Sequence, residues 1–247
     1  MSNKLRLIIL AAGKGTRMKS GLPKVLHLLR GKPMILHVLT TVLRLQAEKI
    51  YIIVGYKSGL IRKVIKEKLD KSEYNKIRFV KQERLLGTAD AVKSVIPHLK
   101  KYTGNIIILC GDTPLITVST INKLIARHIE NNNSLTVLTA DLPNPYGYGR
   151  IIYNQPGYAS QIKEELDLSP EEKNIKEINS GIYCINSGNL VKSINKIKKN
   201  PVKKEYYLTD MVKILSDSGK KAGTLKIKNI QEIFGINTKN ELDKLNN

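Results

Sequence analysis

Apolar residues fall in short blocks through the first half of the chain, and polar stretches separate them. Leu5 to Leu10 reads as a buried strand entering a tight turn. Tyr51 to Tyr56 gives a second strand, Ile77 to Val80 a third and Asn105 to Cys110 a fourth. The last is as apolar as a strand covered on both faces would be. Helical spacing appears between them. Pro33 opens a helix with Ile35, Val38, Leu39, Val42 and Leu43 on one face. Ser58 caps another carrying Ile61, Val64, Ile65 and Leu69, and Ala89 to Leu99 forms a third. Strand and helix alternating in this way predict an α/β fold with a parallel sheet and right-handed crossovers. The second half changes character. A strand over Ser134 to Ala140 leads to the glycine-rich loop Asn144 to Ile151. Extended stretches at Gln161–Glu164 and Glu177–Gly181 then flank an acidic insertion, Leu166 to Lys173. Thr209 or Asp210 caps a helix over Met211 to Ser216, and a terminal helix runs from Thr238 to Leu245.

Ligands of such sheets sit beyond the carboxyl ends of the strands, and the unusual sequences lie there. After the first strand comes Leu10-Ala-Ala-Gly-Lys-Gly-Thr-Arg-Met18, closed by Pro23-Lys24. Gly13 and Gly15 let backbone N–H groups approach a polyanion, while Lys14, Arg17 and Lys24 bring three cations to the same point. The alternative is a glycine turn with solvated lysines. It is neither common glycine loop, since no Gly-x-x-x-x-Gly-Lys-Ser/Thr is present and Met18 stands where Gly-x-Gly-x-x-Gly needs glycine. The third strand runs into Gln82, followed by Gly87-Thr88 at a helix start. Gln82 suits a pyrimidine edge, or simply caps. The fourth runs into Gly111-Asp112, where a carboxylate either holds a hard cation or caps the next turn.

Leu-Ala-Ala-Gly-x-Gly-Thr-Arg-Met with Pro-Lys behind it resembles the signature of sugar-1-phosphate nucleotidyltransferases. Further stretches match in order over nearly the whole chain, most nearly those of the uridylyltransferase domain of bacterial bifunctional enzymes that make UDP-N-acetylglucosamine. The resemblance implies a Rossmann-like, mixed and mainly parallel sheet flanked by helices. It implies that Leu10, Ala11, Ala12, Gly13, Lys14 and Gly15 wrap the nucleotide, with Arg17 and Lys24 neutralising charge as pyrophosphate leaves. Gln82, Gly87 and Thr88 would serve the nucleoside, Gln82 and the Gly87 backbone reading uracil. Gly149, Glu164 and Asn179 would contact the sugar, with Glu165 adjacent to Glu164 as a competing alignment. Asp112 and Asn237 would ligate Mg²⁺. Two positions depart from the family pattern: Cys110 stands where many relatives have an aromatic residue, and Ser180 where threonine is common.

The chain has 247 residues and a formal net charge of +21, most of it lysine. Biased composition accounts for this better than nucleic-acid binding does, because the lysines are scattered, Trp is absent and there are only 2 Phe. The dense run Lys196 to Lys204 is broken by Asn200-Pro201 and reads as a solvated connection. Two cysteines without Cys-x-x-Cys spacing suggest neither a disulfide framework nor zinc, and four dispersed histidines suggest no metal site. No apolar run approaches a membrane span, so the expectation is a cytoplasmic protein with no nucleic-acid or membrane partner.

The expected organisation is a single nucleotidyltransferase domain over 1–247, with a nucleotide half to about 112 and a sugar half from about 113. No hexapeptide β-helix follows, so neither acetyl transfer nor the trimer such a helix builds is expected, and the oligomeric state stays open. The expected reaction is UTP plus N-acetylglucosamine-1-phosphate giving UDP-N-acetylglucosamine and pyrophosphate, with Mg²⁺. The rivals are the same chemistry on glucose-1-phosphate with dTTP or UTP, a catalytically dead homologue, and a basic nucleic-acid-binding protein.

Overall fold

A computed structural model describes residues 4–246. Eleven strands follow in chain order: β1 (Leu5–Ala11), β2 (Leu28–Leu29), β3 (Lys32–Pro33), β4 (Lys49–Val54), β5 (Ile77–Lys81), β6 (Asn105–Cys110), β7 (Leu135–Asp141), β8 (Arg150–Gln155), β9 (Tyr158–Lys163), β10 (Glu177–Asn186) and β11 (Ala222–Lys226). The helices are α1 (Met34–Val42), α2 (Ser58–Lys68), α3 (Lys71–Asn75), α4 (Thr88–Lys93), α5 (Val118–Glu130), α6 (Ser187–Ile194), α7 (Asp210–Asp217) and α8 (Lys239–Asn246). One 9-stranded sheet has the order β5-β4-β1-β6-β10-β7-β11-β9-β8. The expected parallel block is there, β1 lying between β4 and β6 with β5 beyond β4. Only β9 and β10 run against the other strands. Among the described residues no helix is long and apolar enough to cross a membrane.

Burial on both faces explains the continuous apolar strands. Along β1, Leu7 and Ile9 face one core with Ile52, Ile107 and Leu109, while Ile8 faces the other with Ile53, Ile106 and Ile108. A smaller cluster of Met18, Leu29, Met34, Ile236 and Leu242 fastens the C-terminal segment to the loop after β1. That explains Met18: the position serves as an apolar anchor rather than a third close-approach glycine.

Several boundaries differ from expectation for local reasons. Pro33 pairs with Leu28 in a small hairpin and stands one residue before α1. Ser58 begins α2 without capping it; Lys57 precedes it in left-handed conformation (φ 47°). The helix expected over Ala89 to Leu99 splits into α4 and a 3₁₀ turn at Ile96–Leu99, because Pro97 lacks an amide hydrogen. Thr209 precedes α7 but gives it no side-chain cap, its hydroxyl being used elsewhere. The stretch Glu177–Gly181 is the start of a ten-residue strand, β10, lying in the middle of the sheet between β6 and β7.

Candidate functional site

The carboxyl ends of β1, β5 and β6 open into a cleft of about 890 Å³. Leu10, Ala11, Ala12, Gly13, Lys14, Arg17, Lys24, Gln82, Gly87, Thr88, Asp112 and Glu164 all line it. Gly15, Gly149, Asn179 and Asn237 are not among the residues that line it. Gly15 supports the wall by lacking a side chain. Its φ is 65°, and a Cβ there would lie 2.6 Å from the Cβ of Lys24. Gly13 faces open space, with nothing within 4 Å of where its Cβ would be.

Residues from both ends of the sequence converge at the loop's mouth. The ammonium of Lys24 forms an ion pair with Asp112 Oδ2 and donates to Asn237 Oδ1 at 2.9 Å. Arg17 donates to the same Asn237 oxygen at 2.9 Å. Asn237 Nδ2 donates to the Gly235 carbonyl at 2.7 Å, which turns its oxygen towards the cations. Glu241 then accepts from the backbone N–H groups of Asn237 and Thr238, fixing this corner to the start of α8. On the other side Ile236 N–H donates to the Asp112 carbonyl at 3.0 Å. One carboxylate and one amide oxygen around a single ammonium make a hard, oxygen-only donor pair, which suits Mg²⁺ completed by water and phosphate oxygens. Among the described residues no group of three or more His, Cys, Asp and Glu could hold a metal ion.

Gln82 is buried, and its Nε2 donates to the Gly87 carbonyl at 3.2 Å and to Asp90 Oδ2 at 2.8 Å. Both partners are acceptors, so the amide nitrogen is committed and the carbonyl oxygen is what Gln82 offers to the cleft. Leu85 stands beside it, 39% exposed, packed close over Gly55. A Cβ on Gly55 would meet Leu85 Cδ2 at 2.9 Å and the Ala12 carbonyl at 2.7 Å, so glycine is required there.

A strap that the sequence presented as a solvated connection closes this end. Asn200, Val202, Lys203, Glu205 and Tyr207 line the cleft. Tyr206 N–H donates to the Leu86 carbonyl at 2.8 Å, and its own carbonyl accepts from Ala89 N–H at 3.0 Å. Leu208 N–H donates to Thr88 Oγ1 at 3.0 Å. Part of the helix start expected to face the ligand is therefore held by the strap. Gly87, at φ 101°, has no room for a side chain: its Cβ would lie 2.5 Å from the Tyr206 carbonyl oxygen. The signal available was Glu205-Tyr-Tyr-Leu-Thr-Asp210, which points to a cap rather than a cleft wall.

At the far end Glu164 and Glu165 both line the cleft but have different bonds. Glu165 accepts from the buried Arg150 guanidinium at 2.9 Å and from Gly147 N–H at 3.0 Å. Glu164 accepts at Oε1 from Thr209 Oγ1 at 2.8 Å, leaving its second oxygen beside Gly149. Burial pushes the Glu164 carboxyl up from its ordinary value; the Thr209 bond opposes this, and Asp167 and Asp210 reinforce it. Asn179 Nδ2 donates to Tyr183 OH at 2.8 Å, and its Oδ1 accepts from Gly181 N–H at 3.0 Å. This internal bonding accompanies a bulge in β10 between Asn179 and Tyr183, with Gly181 at φ 75°. Cys110 faces the same bulge, its thiol pushed up to about 12, first by burial and then by Asp112. It packs against Gly181 and also lines the cleft.

A family model described as nucleotidyl transferase matches residues 6–230. The bifunctional protein GlmU of Trichodesmium erythraeum is 41% identical over 239 residues, covering 96% of this chain and 50% of that protein. GlmU of Streptococcus gordonii is 42% identical over 230 residues, covering 93% of this chain and 48% of the relative. The chain spans about half the length of the curated relatives it matches. Among solved structures, a Bacillus anthracis protein assigned as a glucose-1-phosphate thymidylyltransferase, crystallised with sucrose, superposes with a TM-score of 0.76. That match covers 98% of this chain and 94% of the other at 19% identity, and shows that the two share the fold. On the extent of the family match, this chain is a member of the nucleotidyl transferase family.

Proposed function

We propose that the chain is a cytoplasmic enzyme that transfers a uridylyl group from UTP to N-acetylglucosamine-1-phosphate, giving UDP-N-acetylglucosamine and pyrophosphate. The observation that carries this reading is the meeting of Arg17, Lys24, Asp112 and Asn237 at one end of a cleft whose other walls carry Gln82 and Glu164. In this reading the part to about residue 112 serves the nucleotide and the rest the sugar, except that the strap returns to hold Gly87.

The sugar phosphate is already an oxyanion at neutral pH, so its oxygen attacks the α-phosphorus without a general base. The bond from that phosphorus to the bridging oxygen breaks, and pyrophosphate leaves with the electron pair. The protein aligns the two substrates and stabilises the crowded negative charge. Arg17 and Lys24 bring cations to the phosphates, and Gly13 leaves room for them. Asp112 and Asn237 would hold Mg²⁺, which supplies further charge neutralisation when bound.

The orientation of the Gln82 amide supports the choice of base. An acceptor facing the ring pairs with the imide N–H of uracil and meets another acceptor in cytosine. Gln82→Ala is expected to lose discrimination against CTP by roughly ten- to a hundredfold, the equivalent of one well-made polar contact of about 1–3 kcal/mol. Unchanged selectivity in competition kinetics removes Gln82 from base reading.

Glu164 has the open oxygen among the sugar-side candidates, whereas Asn179 must exchange an internal bond to reach a hydroxyl. A carboxylate accepting sugar hydroxyls has to be ionised. Because burial raises the Glu164 pKa, protonation begins at a higher pH than for an ordinary glutamate, and sugar binding weakens first as pH falls. KM for the sugar phosphate should therefore rise on acidification while KM for UTP rises less. Glu164→Gln should flatten the difference, and an identical limb in that variant assigns the titration to the substrate phosphate.

A second reading, the same chemistry on glucose-1-phosphate with dTTP or UTP, is favoured by the activity assigned to the structural neighbour. Thymine carries the same imide N–H, so Gln82 alone does not separate the two. Pyrophosphate release measured across a matrix of nucleotides and sugar phosphates tests the reading. Fastest release is expected with UTP and N-acetylglucosamine-1-phosphate, and no release with any pair contradicts the enzyme assignment.

A further inference from the structure

The two oxygens that would hold the metal are already served by a cation of the chain's own. Lys24 forms an ion pair with Asp112 and donates to Asn237 Oδ1 at 2.9 Å, and both Lys24 and Asp112 side chains are largely buried, at 18% and 15% exposed. Arg17 adds a second cation on the same Asn237 oxygen. Among the described residues the Lys24 ammonium has no other hydrogen-bond or ion-pair partner. Its backbone is fixed by the 3₁₀ turn Lys24–Leu26 behind Pro23, and its Cβ is pressed against the bare Gly15. The flexible part is the stem beyond Cβ, which can carry the ammonium from the donor pair towards the open space beside Gly13.

We propose that Lys24 is the internal counter-cation of the Asp112–Asn237 pair, and that it competes with a divalent cation for those oxygens in the free protein. This rests on the reading that Asp112 and Asn237 are the metal donors. An ammonium within hydrogen-bond distance of both oxygens occupies the volume a divalent ion needs and repels it, so the two exclude each other. Nucleotide phosphates change the balance by offering Lys24 a second set of anionic partners. The metal and the lysine then act in sequence on one site: Lys24 keeps the substrate-free corner compensated, and phosphate binding releases the donor pair. The free protein should bind divalent ions weakly, and the metal should enter with the nucleotide.

The proposal makes metal affinity and turnover move in opposite directions. Mn²⁺ titration of the free protein, followed by its electron paramagnetic resonance signal, reads affinity without any turnover. Lys24→Met keeps the stem and removes the charge; it is expected to tighten Mn²⁺ by on the order of tenfold or more. Lys24→Arg keeps a cation and should stay as weak as wild type. Adding Asp112→Asn to Lys24→Met should abolish the gain, which ties the ion to this pair rather than to a stray surface site. A cooperative melt for each variant excludes misfolding. Wild-type affinity equal to that of Lys24→Met overturns the proposal, as does a gain that survives Asp112→Asn. Either result leaves the function reading standing if wild type still releases pyrophosphate with Mg²⁺; loss of that release strikes the reading itself.

Discussion

Lys24→Ala is expected to lower kcat by about a hundredfold or more while the protein still melts cooperatively, since removing a preorganised charge-stabilising donor has effects of that order. The geometry gives the reason. Lys24 has Gly15 behind it and faces Asp112 and Asn237 in front, so in the proposed mechanism its charge lies where the two substrates' phosphates would meet. An exposed lysine without a role would change rate and stability within small error. Single-turnover kinetics with saturating substrates separate the two cases. Near-wild-type turnover returns the loop to a glycine turn with solvated lysines. Gly15→Ala provides a control on the same corner, because it keeps every charge but strains a left-handed backbone and presses on the Lys24 stem.

The second large effect concerns Asp112 and Asn237, which are separated by about half of the chain yet share one ammonium. Asp112→Asn should reduce turnover more than Asn237→Ala, because it removes the pair's only charge. If each loses several kcal/mol of transition-state stabilisation, the double variant should fall far short of the sum, as both changes remove the same ion. Excess EDTA should abolish activity and Mg²⁺ restore it. Full additivity, or turnover that survives EDTA, means that the two residues do not share a metal.

How far such a site can be read from sequence depends on whether its parts act locally. The strands at Leu5, Tyr51 and Asn105 are legible because both faces of the central sheet are buried, leaving long apolar runs. The loop from Leu10 to Met18 stands out because glycines and cations occur together in it, as phosphate binding would need. The place of β10 is not, since insertion between β6 and β7 depends on long-range pairing that leaves no periodic mark. Capping fails as a guide where a side chain has another employer, as Thr209 does in holding Glu164. The strap escapes notice because its main contribution is the Tyr206 backbone, received by a helix start more than a hundred positions earlier. Asn237 is marked only by resemblance to a family. Its position follows from contacts no local pattern encodes: Ile236 and Leu242 packed on Met18, and Gly235 turning the amide.

The proposed pairing of uracil with an N-acetylated sugar can be tested in one reaction. Wild-type protein with Mg²⁺ is given UTP, CTP and dTTP at equal concentration, together with N-acetylglucosamine-1-phosphate and glucose-1-phosphate, and the nucleotide sugars formed at early times are identified by mass spectrometry. UDP-N-acetylglucosamine is expected to dominate the products, and equal or faster formation of a glucose or thymidine product would contradict the assignment.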